Sequence, residues 1–348
     1  RDCKVFLFDE PNSALTSEES DELFGLMHSL TASGRIVVLV THRLADLVAH
    51  CDRVAVVRDG RIHSELAGDA ITEDALARRL VTENAAVVTE RRHAAGDSAT
   101  PTLRLSNWTH KAGAFTVISL EASSGEIIAL MGVEGSGARE LLRSLGNIER
   151  ASGTIALAAQ SGTEVLDASA YVPATRLQSL YSNFTVGENL LVRLGRPQIA
   201  NAAGLLKTRR MAQIAADGGK RFMVKAQGPG QPIRALSGGN QQKVAIAQAL
   251  IKAPPLLLLE EPTRGVDIHS KAEIYRLLRD YADDGNLVLI FCTEVLEVFE
   301  AADRVYVMAN GNLSRGVDVA NHGKVEDLAS AIAALDRSPS IQGGITAA

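Results

Sequence analysis

Leu236-Ser237-Gly238-Gly239-Asn240-Gln241-Gln242-Lys243 is followed, a short distance downstream, by the apolar run 256–259 and its acidic close, Glu260-Glu261-Pro262. Ser237 is a residue type whose hydroxyl caps a helix start, here one expected near Asn240. Gly238 and Gly239 let backbone N–H groups approach an anion with no Cβ in the way. A short apolar run ended by acids and a proline reads as a buried parallel strand. In open α/β sheets ligands gather at the carboxyl ends of such strands, where Glu260 and Glu261 fall.

The same strand pattern opens the chain. Val5-Phe6-Leu7-Phe8 runs into Asp9-Glu10-Pro11, followed by Ser13-Ala14-Leu15-Thr16, an amphipathic stretch to about Leu30, and Gly34 as a helix stop. The strand Ile36–Val40 then ends in Thr41-His42-Arg43. Adding 251 to each number lays the first 60 or so residues on a later segment without a gap. Glu10 falls on Glu261, Pro11 on Pro262, Gly34 on Gly285, Asp52-Arg53-Val54 on Asp303-Arg304-Val305 and Gly60 on Gly311.

Upstream of residues 236–243 lies Gly132-Val133-Glu134-Gly135-Ser136-Gly137-Ala138-Arg139, between the apolar strand Ile127–Met131 and an apolar helix from Glu140 to Leu145. Glycines at this spacing allow backbone N–H groups to turn inward on phosphates, and the helix N-terminus favours negative charge. A full phosphate loop also needs a lysine and then a metal-binding hydroxyl, and Ala138 and Arg139 stand in those slots. The guanidinium offers positive charge but cannot ligate a metal. By itself the stretch fits either nucleotide binding or a structural crossover.

The chain has 348 residues, 46% hydrophobic and 22% charged, with a net charge of -5, an ordinary globular composition. Apolar runs such as Ile36–Val40 and Ile127–Met131 hold five residues, far short of the roughly 20 that span a bilayer. No long basic run marks a dedicated nucleic-acid binder. Cys3, Cys51 and Cys292 are widely spaced and form no metal-binding pair, which fits a reducing compartment.

Together the signature, the acidic strand end and the glycine loop resemble the ATP-binding cassette (ABC) ATPases. The Asn-Gln-Gln form of the signature and Pro262-Thr263-Arg264-Gly265-Val266-Asp267 resemble the monosaccharide importers and their nucleoside and autoinducer relatives. The resemblance runs from Val5 to about Leu335. It implies a P-loop NTPase cassette fold of class α/β, with a mostly parallel sheet core, an antiparallel β part and a helical subdomain. One partial and one near-complete cassette are expected.

The expected boundaries are the back half of a first cassette at 1–88, a linker at 89–101, a second cassette at 102–335 and a disordered tail at 336–348. The first module starts at Arg1, with neither glycine loop nor signature before Asp9, and so reads as part of a longer tandem protein. Phe115 to Leu120 reads as a strand. The segment from Phe184 to about Lys225 reads as the helical subdomain, with Lys207-Thr208-Arg209-Arg210 as a solvated helix face. Trp108 has the spacing of an adenine-stacking aromatic and equally that of a core tryptophan.

By resemblance the cofactors are ATP and Mg²⁺. Gly132, Gly135, Ser136, Gly137, Ala138 and Arg139 form the nucleotide loop of the second cassette, and Ser237, Gly238, Gly239 and Asn240 the signature. The catalytic candidates are Glu10, His42 and Glu261, with Asp9 at the metal. Glu260 replaces the usual aspartate, Ala174 and Thr175 stand where a Q-loop acceptor is expected, and Thr293 stands in the slot of the switch histidine. Loss of so many positioned charges implies a degenerate second site, because phosphoryl transfer rests on them.

Cassettes of this family pair head to tail, so the intact signature is expected to complete the first cassette's site. The implied partners are hydrophobic permease subunits and, indirectly, a periplasmic or extracellular solute-binding protein, with no nucleic acid. The implied location is the cytoplasmic face of the bacterial inner membrane. A tandem ABC protein acting on ribosomes or DNA, and a non-hydrolysing regulatory module, are the alternatives.

Overall fold

The computed structural model describes residues 3–9, 11, 17–41, 44–58, 61–80 and 103–336. Glu10, His42, the linker 89–101 and the tail beyond Asp336 lie outside the described residues. The chain divides near residue 88 into two compact units.

The first unit runs β1 (Val5–Asp9), α1 (Ser17–Ala32), β2 (Ile36–Val40), α2 (Leu44–His50), β3 (Arg53–Arg58), β4 (Arg61–Ala67) and α3 (Glu73–Leu80). Strands β1 and β2 pair in parallel, Val5 opposite Ile36, and β3 and β4 form an antiparallel hairpin. A small core of Val54, Val56, Leu66, Ile71 and Leu76 joins the hairpin to α2 and α3.

The second unit begins with β5 (Leu103–His110), β6 (Ile118–Ala122), β7 (Ile127–Met131), α4 (Ala138–Leu145), β8 (Ala151–Leu157), β9 (Gln160–Ser161), α5 (Thr163–Ala168) and β10 (Ser169–Val172). The helices α6 (Arg176–Ser179), α7 (Val186–Leu191), α8 (Arg196–Ile199), α9 (Thr208–Arg221) and α10 (Gly238–Leu250) follow. It closes with β11 (Leu256–Glu260), α11 (Ile268–Asp283), β12 (Leu287–Phe291), α12 (Val295–Ala301), β13 (Arg304–Ala309), β14 (Asn312–Leu313), β15 (Val317–Asp318) and α13 (Val325–Asp336).

Its main sheet has the order β10-β11-β12-β7-β13-β14, with β15 also on β13; β10, β11, β12, β7 and β13 are parallel neighbours. A second, antiparallel sheet has the order β6-β5-β8-β9. The parallel strands are apolar throughout because both faces are covered. Their alternation divides two cores: Ile127, Ala129, Leu257 and Leu259 face α10 and α11, while Ile128, Leu130, Leu256 and Leu258 face α4 and the antiparallel sheet.

The signature helix and the glycine-loop helix thus lie on opposite faces of one sheet. The fold is the mixed α/β cassette arrangement, with α6 to α9 as its helical insertion.

Two local readings shift. The strand expected from Phe115 forms as β6 from Ile118, because Val117 takes φ 52° and turns the backbone. Helix α10 begins at Gly238, two residues before Asn240, directly behind its Ser237 cap. Among the described residues no helix is long and apolar enough to cross a membrane.

Candidate functional site

Ser237 is exposed at the head of α10, and its Oγ accepts from the Asn240 N–H at 3.5 Å and from Asn240 Nδ2 at 3.0 Å. The Asn240 side-chain oxygen accepts from the Lys225 N–H at 2.9 Å. The wholly buried Lys243 donates to the Met223 carbonyl at 2.9 Å and to Glu273 at 2.7 Å. These bonds fix the helix start against the preceding loop and α11, with Ser237 exposed, Gly238 and Asn240 half-buried and Gly239 buried. A Cβ on Gly238 would lie 2.8 Å from an Arg176 guanidinium nitrogen, so a larger residue there would displace the end of that side chain.

The glycine loop leaves β7 at Gly132 and enters α4 at Ala138. Gly137 takes φ +96°, and a Cβ there would lie 2.6 Å from the Ala114 carbonyl oxygen. Gly135 is exposed, whereas Ser136, Gly137 and Ala138 are buried. Two donors of the loop are used internally: the Ser136 N–H bonds the Val133 carbonyl at 3.0 Å, and the Ala138 N–H faces Ser136 Oγ at 3.4 Å. Ala138 packs in the core beside Leu141 and Leu142.

The acidic end of β11 is occupied by arginines. Glu260, 2% exposed, accepts from Arg143 Nε at 2.6 Å and from the Tyr171 hydroxyl at 2.6 Å, both on Oε1. Glu261, held at φ 41°, accepts from Arg139 Nη2 at 2.9 Å and from Arg264 Nη1 at 3.2 Å. Arg139 also pairs with Glu134 at 3.1 Å and lies over the Phe291 ring at 5.1 Å. The hydrogen bond to Glu260 pushes the Arg143 guanidinium above its ordinary pKa, and burial, followed by the bond to Glu260, does the same to the Tyr171 phenol.

Mg²⁺ does not fit this donor set. It requires oxygen ligands at about 2.0–2.1 Å in an octahedron. The slot of the metal-binding hydroxyl holds a guanidinium bonded to Glu261, and the Glu260 carboxylate already takes three hydrogen bonds from Arg143 and Tyr171.

The residues that occupy the remaining slots are short and uncharged. Thr175 and Thr293 are exposed and Ala174 half-buried, none with a side chain that substitutes for a Q-loop glutamine or a histidine. Trp108 resolves as a core residue, 4% exposed with its indole N–H on Ser144 Oγ at 2.9 Å. Arg209 and Arg210 are exposed on α9.

In the first unit Asp9 lies at the carboxyl end of β1 and is exposed, an oxygen donor chemically suited to Mg²⁺. Glu10 and His42 lie outside the described residues, so the structure does not place them relative to Asp9.

Residues 115–264 match the profile of the ABC transporter family. The ABC cassette of this chain is similar in fold to cbiO1 of Clostridium perfringens, with TM-score 0.54 and 22% identity over 64% of this chain and 90% of that one. It is equally similar to an inward-facing putative metal-chelate type ABC transporter, with TM-score 0.54 and 23% identity over 68% of this chain and 90% of that one.

Among sequences, the chain is 33% identical to a ribose import ATP-binding protein of Rhizobium etli over 322 residues, covering 90% of this chain and 63% of the relative. It is 36% identical to an arabinose import ATP-binding protein of Burkholderia thailandensis over 327 residues, covering 90% of this chain and 61% of the relative. The chain therefore spans less than two thirds of the length of these relatives.

Sequence reasoning missed the part played by Arg143 and Tyr171. Their partner Glu260 lies 117 and 89 residues away, and a helical arginine or a strand tyrosine carries no local sign of such a contact. The one available signal was Glu260 itself, since a buried carboxylate requires compensating donors.

Proposed function

We propose that this chain belongs to an ATP-binding subunit of an ABC importer that energises uptake of a sugar or related small solute. The observation that carries this reading is the rigid, capped signature helix. It leaves Ser237 exposed and Gly238 and Asn240 half-buried while its own module's acids are bound to arginines. A signature so built serves a phosphate that its own glycine loop does not hold, which fits head-to-tail pairing with the first cassette.

In that pairing Ser237 and the N–H groups of Gly238 and Gly239 bind terminal phosphate oxygens. Asp9 would hold the metal, Glu10 would polarise the attacking water and His42 would contact the terminal phosphate. Bound Mg²⁺ with ATP supplies charge neutralisation and the phosphoryl group. The second site, lacking lysine, hydroxyl and histidine, is degenerate. The partners are hydrophobic permease subunits at the cytoplasmic face of the inner membrane, and a solute-binding protein acts through them.

The test uses the complete polypeptide tagged and purified from solubilised membranes. Permease subunits are expected to co-purify, and Ser237→Arg is expected to lower Mg-dependent ATPase at least tenfold, with only a small drop in thermal midpoint from the lost helix cap. Co-purification of ribosomes or DNA in place of permease, or full ATPase in Ser237→Arg, would contradict the reading.

A further inference from the structure

The second unit's acid pair is compensated from within. Arg139 Nη2 lies 2.9 Å from Glu261, and its Nε, which is buried and makes no hydrogen bond, has Glu260 Oε2 at 3.9 Å. The guanidinium therefore bridges the two carboxylates. Glu134 and the Phe291 ring hold it on further sides. Arg143 neutralises Glu260. Arg264 adds a weaker contact to Glu261, since its side chain is 69% exposed and largely screened.

A planar fork held by two carboxylates and an aromatic face is pre-organised. Drawing it off toward a triphosphate would leave Glu261, whose side chain is 8% exposed, with only the exposed Arg264. Removing one partner of a buried pair leaves an uncompensated charge and is strongly unfavourable. A divalent cation in the same place would meet Arg139 and Arg143 at ion-pair distance, and like charges repel steeply in a part-buried setting.

We infer that Arg139 is a resident cation standing in for the metal, and that it closes the glycine loop of the second unit to both Mg²⁺ and nucleoside triphosphate. This deepens the proposed function and rests on its reading of 132–139 as a cassette loop. The second unit then contributes its signature and its fold permanently, with no nucleotide needed to organise its own acids. Arg139 is the specificity-determining residue, because a threonine there would remove the internal cation and restore a metal-binding hydroxyl.

The experiment titrates the 348-residue chain with a fluorescent ATP analogue, with Mg²⁺ and with EDTA, and follows Mn²⁺ binding by electron paramagnetic resonance. The wild type is expected to show no saturable binding of either up to about 1 mM, a free energy near −4 kcal/mol. Ala138→Lys/Arg139→Thr is expected to gain Mg-dependent binding at least tenfold tighter, and Arg139→Thr alone to gain weaker Mn²⁺ binding, because Arg143 still pairs with Glu260. Arg139→Thr leaves buried Ala138 in place, so it reports even where the double variant does not fold.

Saturable Mg-dependent binding by the wild type, lost in Glu260→Gln, would overturn the inference. So would a folded Arg139→Thr that binds no Mn²⁺. Neither result bears on the signature's role, which the Ser237→Arg test of the complete polypeptide decides separately.

Discussion

Strands β1 and β2 of the first unit and β11 and β12 of the second carry the same pattern, 251 residues apart, in the same parallel register: Val5 opposite Ile36, Leu256 opposite Leu287. Their surroundings differ. Leu7 is 77% exposed, whereas its counterpart Leu258 is wholly buried. The later pair lies between β10 and β7, with α4 and α10 on its faces, and the earlier pair has no counterpart of these among the described residues. An apolar strand becomes core only when neighbouring strands and helices cover it; the pattern alone supplies the register.

The acids repeat the contrast. Asp9 ends β1 exposed, while Glu260 ends β11 beneath two arginines and a tyrosine. Replacing an aspartate by a longer glutamate in the second unit extends the carboxylate to where α4 presents Arg139 and Arg143. One carboxylate is left exposed, and the other is satisfied by the protein.

The largest effect should come from the leucines. In this chain Leu258→Ala is expected to cost about 3 kcal/mol in urea unfolding, from lost burial plus a cavity, and Leu7→Ala less than about 0.5 kcal/mol. Equal losses would break the comparison.

Smaller, and sharper on the acids, is the pair Arg143→Ala and Tyr171→Phe. Arg143→Ala is expected to cost about 2 kcal/mol because it strands a buried carboxylate, and Tyr171→Phe about 1 kcal/mol. The Tyr171 pKa is raised in the folded state, so its contribution is present below the ordinary tyrosine pKa and fades as pH rises through the folded value. The Tyr171→Phe difference should therefore stay constant from pH 6 to about 9. Asp9→Asn should leave stability within about 0.5 kcal/mol.

Much of this was legible in the sequence. Apolar runs closed by acids gave the parallel strands, and Ser237 before two glycines marked the start of α10 to within two residues. Missing lysine, hydroxyl and histidine at fixed slots marked the second site as altered. The arginine network was hidden because its members come from α4, β10 and β11, which only the folded sheet brings together. Trp108 was ambiguous for the same reason: its Ser144 partner lies 36 residues away on α4.

The most direct test compares two glutamates in the complete polypeptide assembled with the proposed permease. Glu10→Gln is expected to reduce Mg-dependent ATPase at least a hundredfold, as loss of the water-polarising carboxylate should. Glu261→Gln is expected to retain the rate within about threefold, since its carboxylate serves Arg139. A hundredfold loss in Glu261→Gln with Glu10→Gln near wild type would contradict the account.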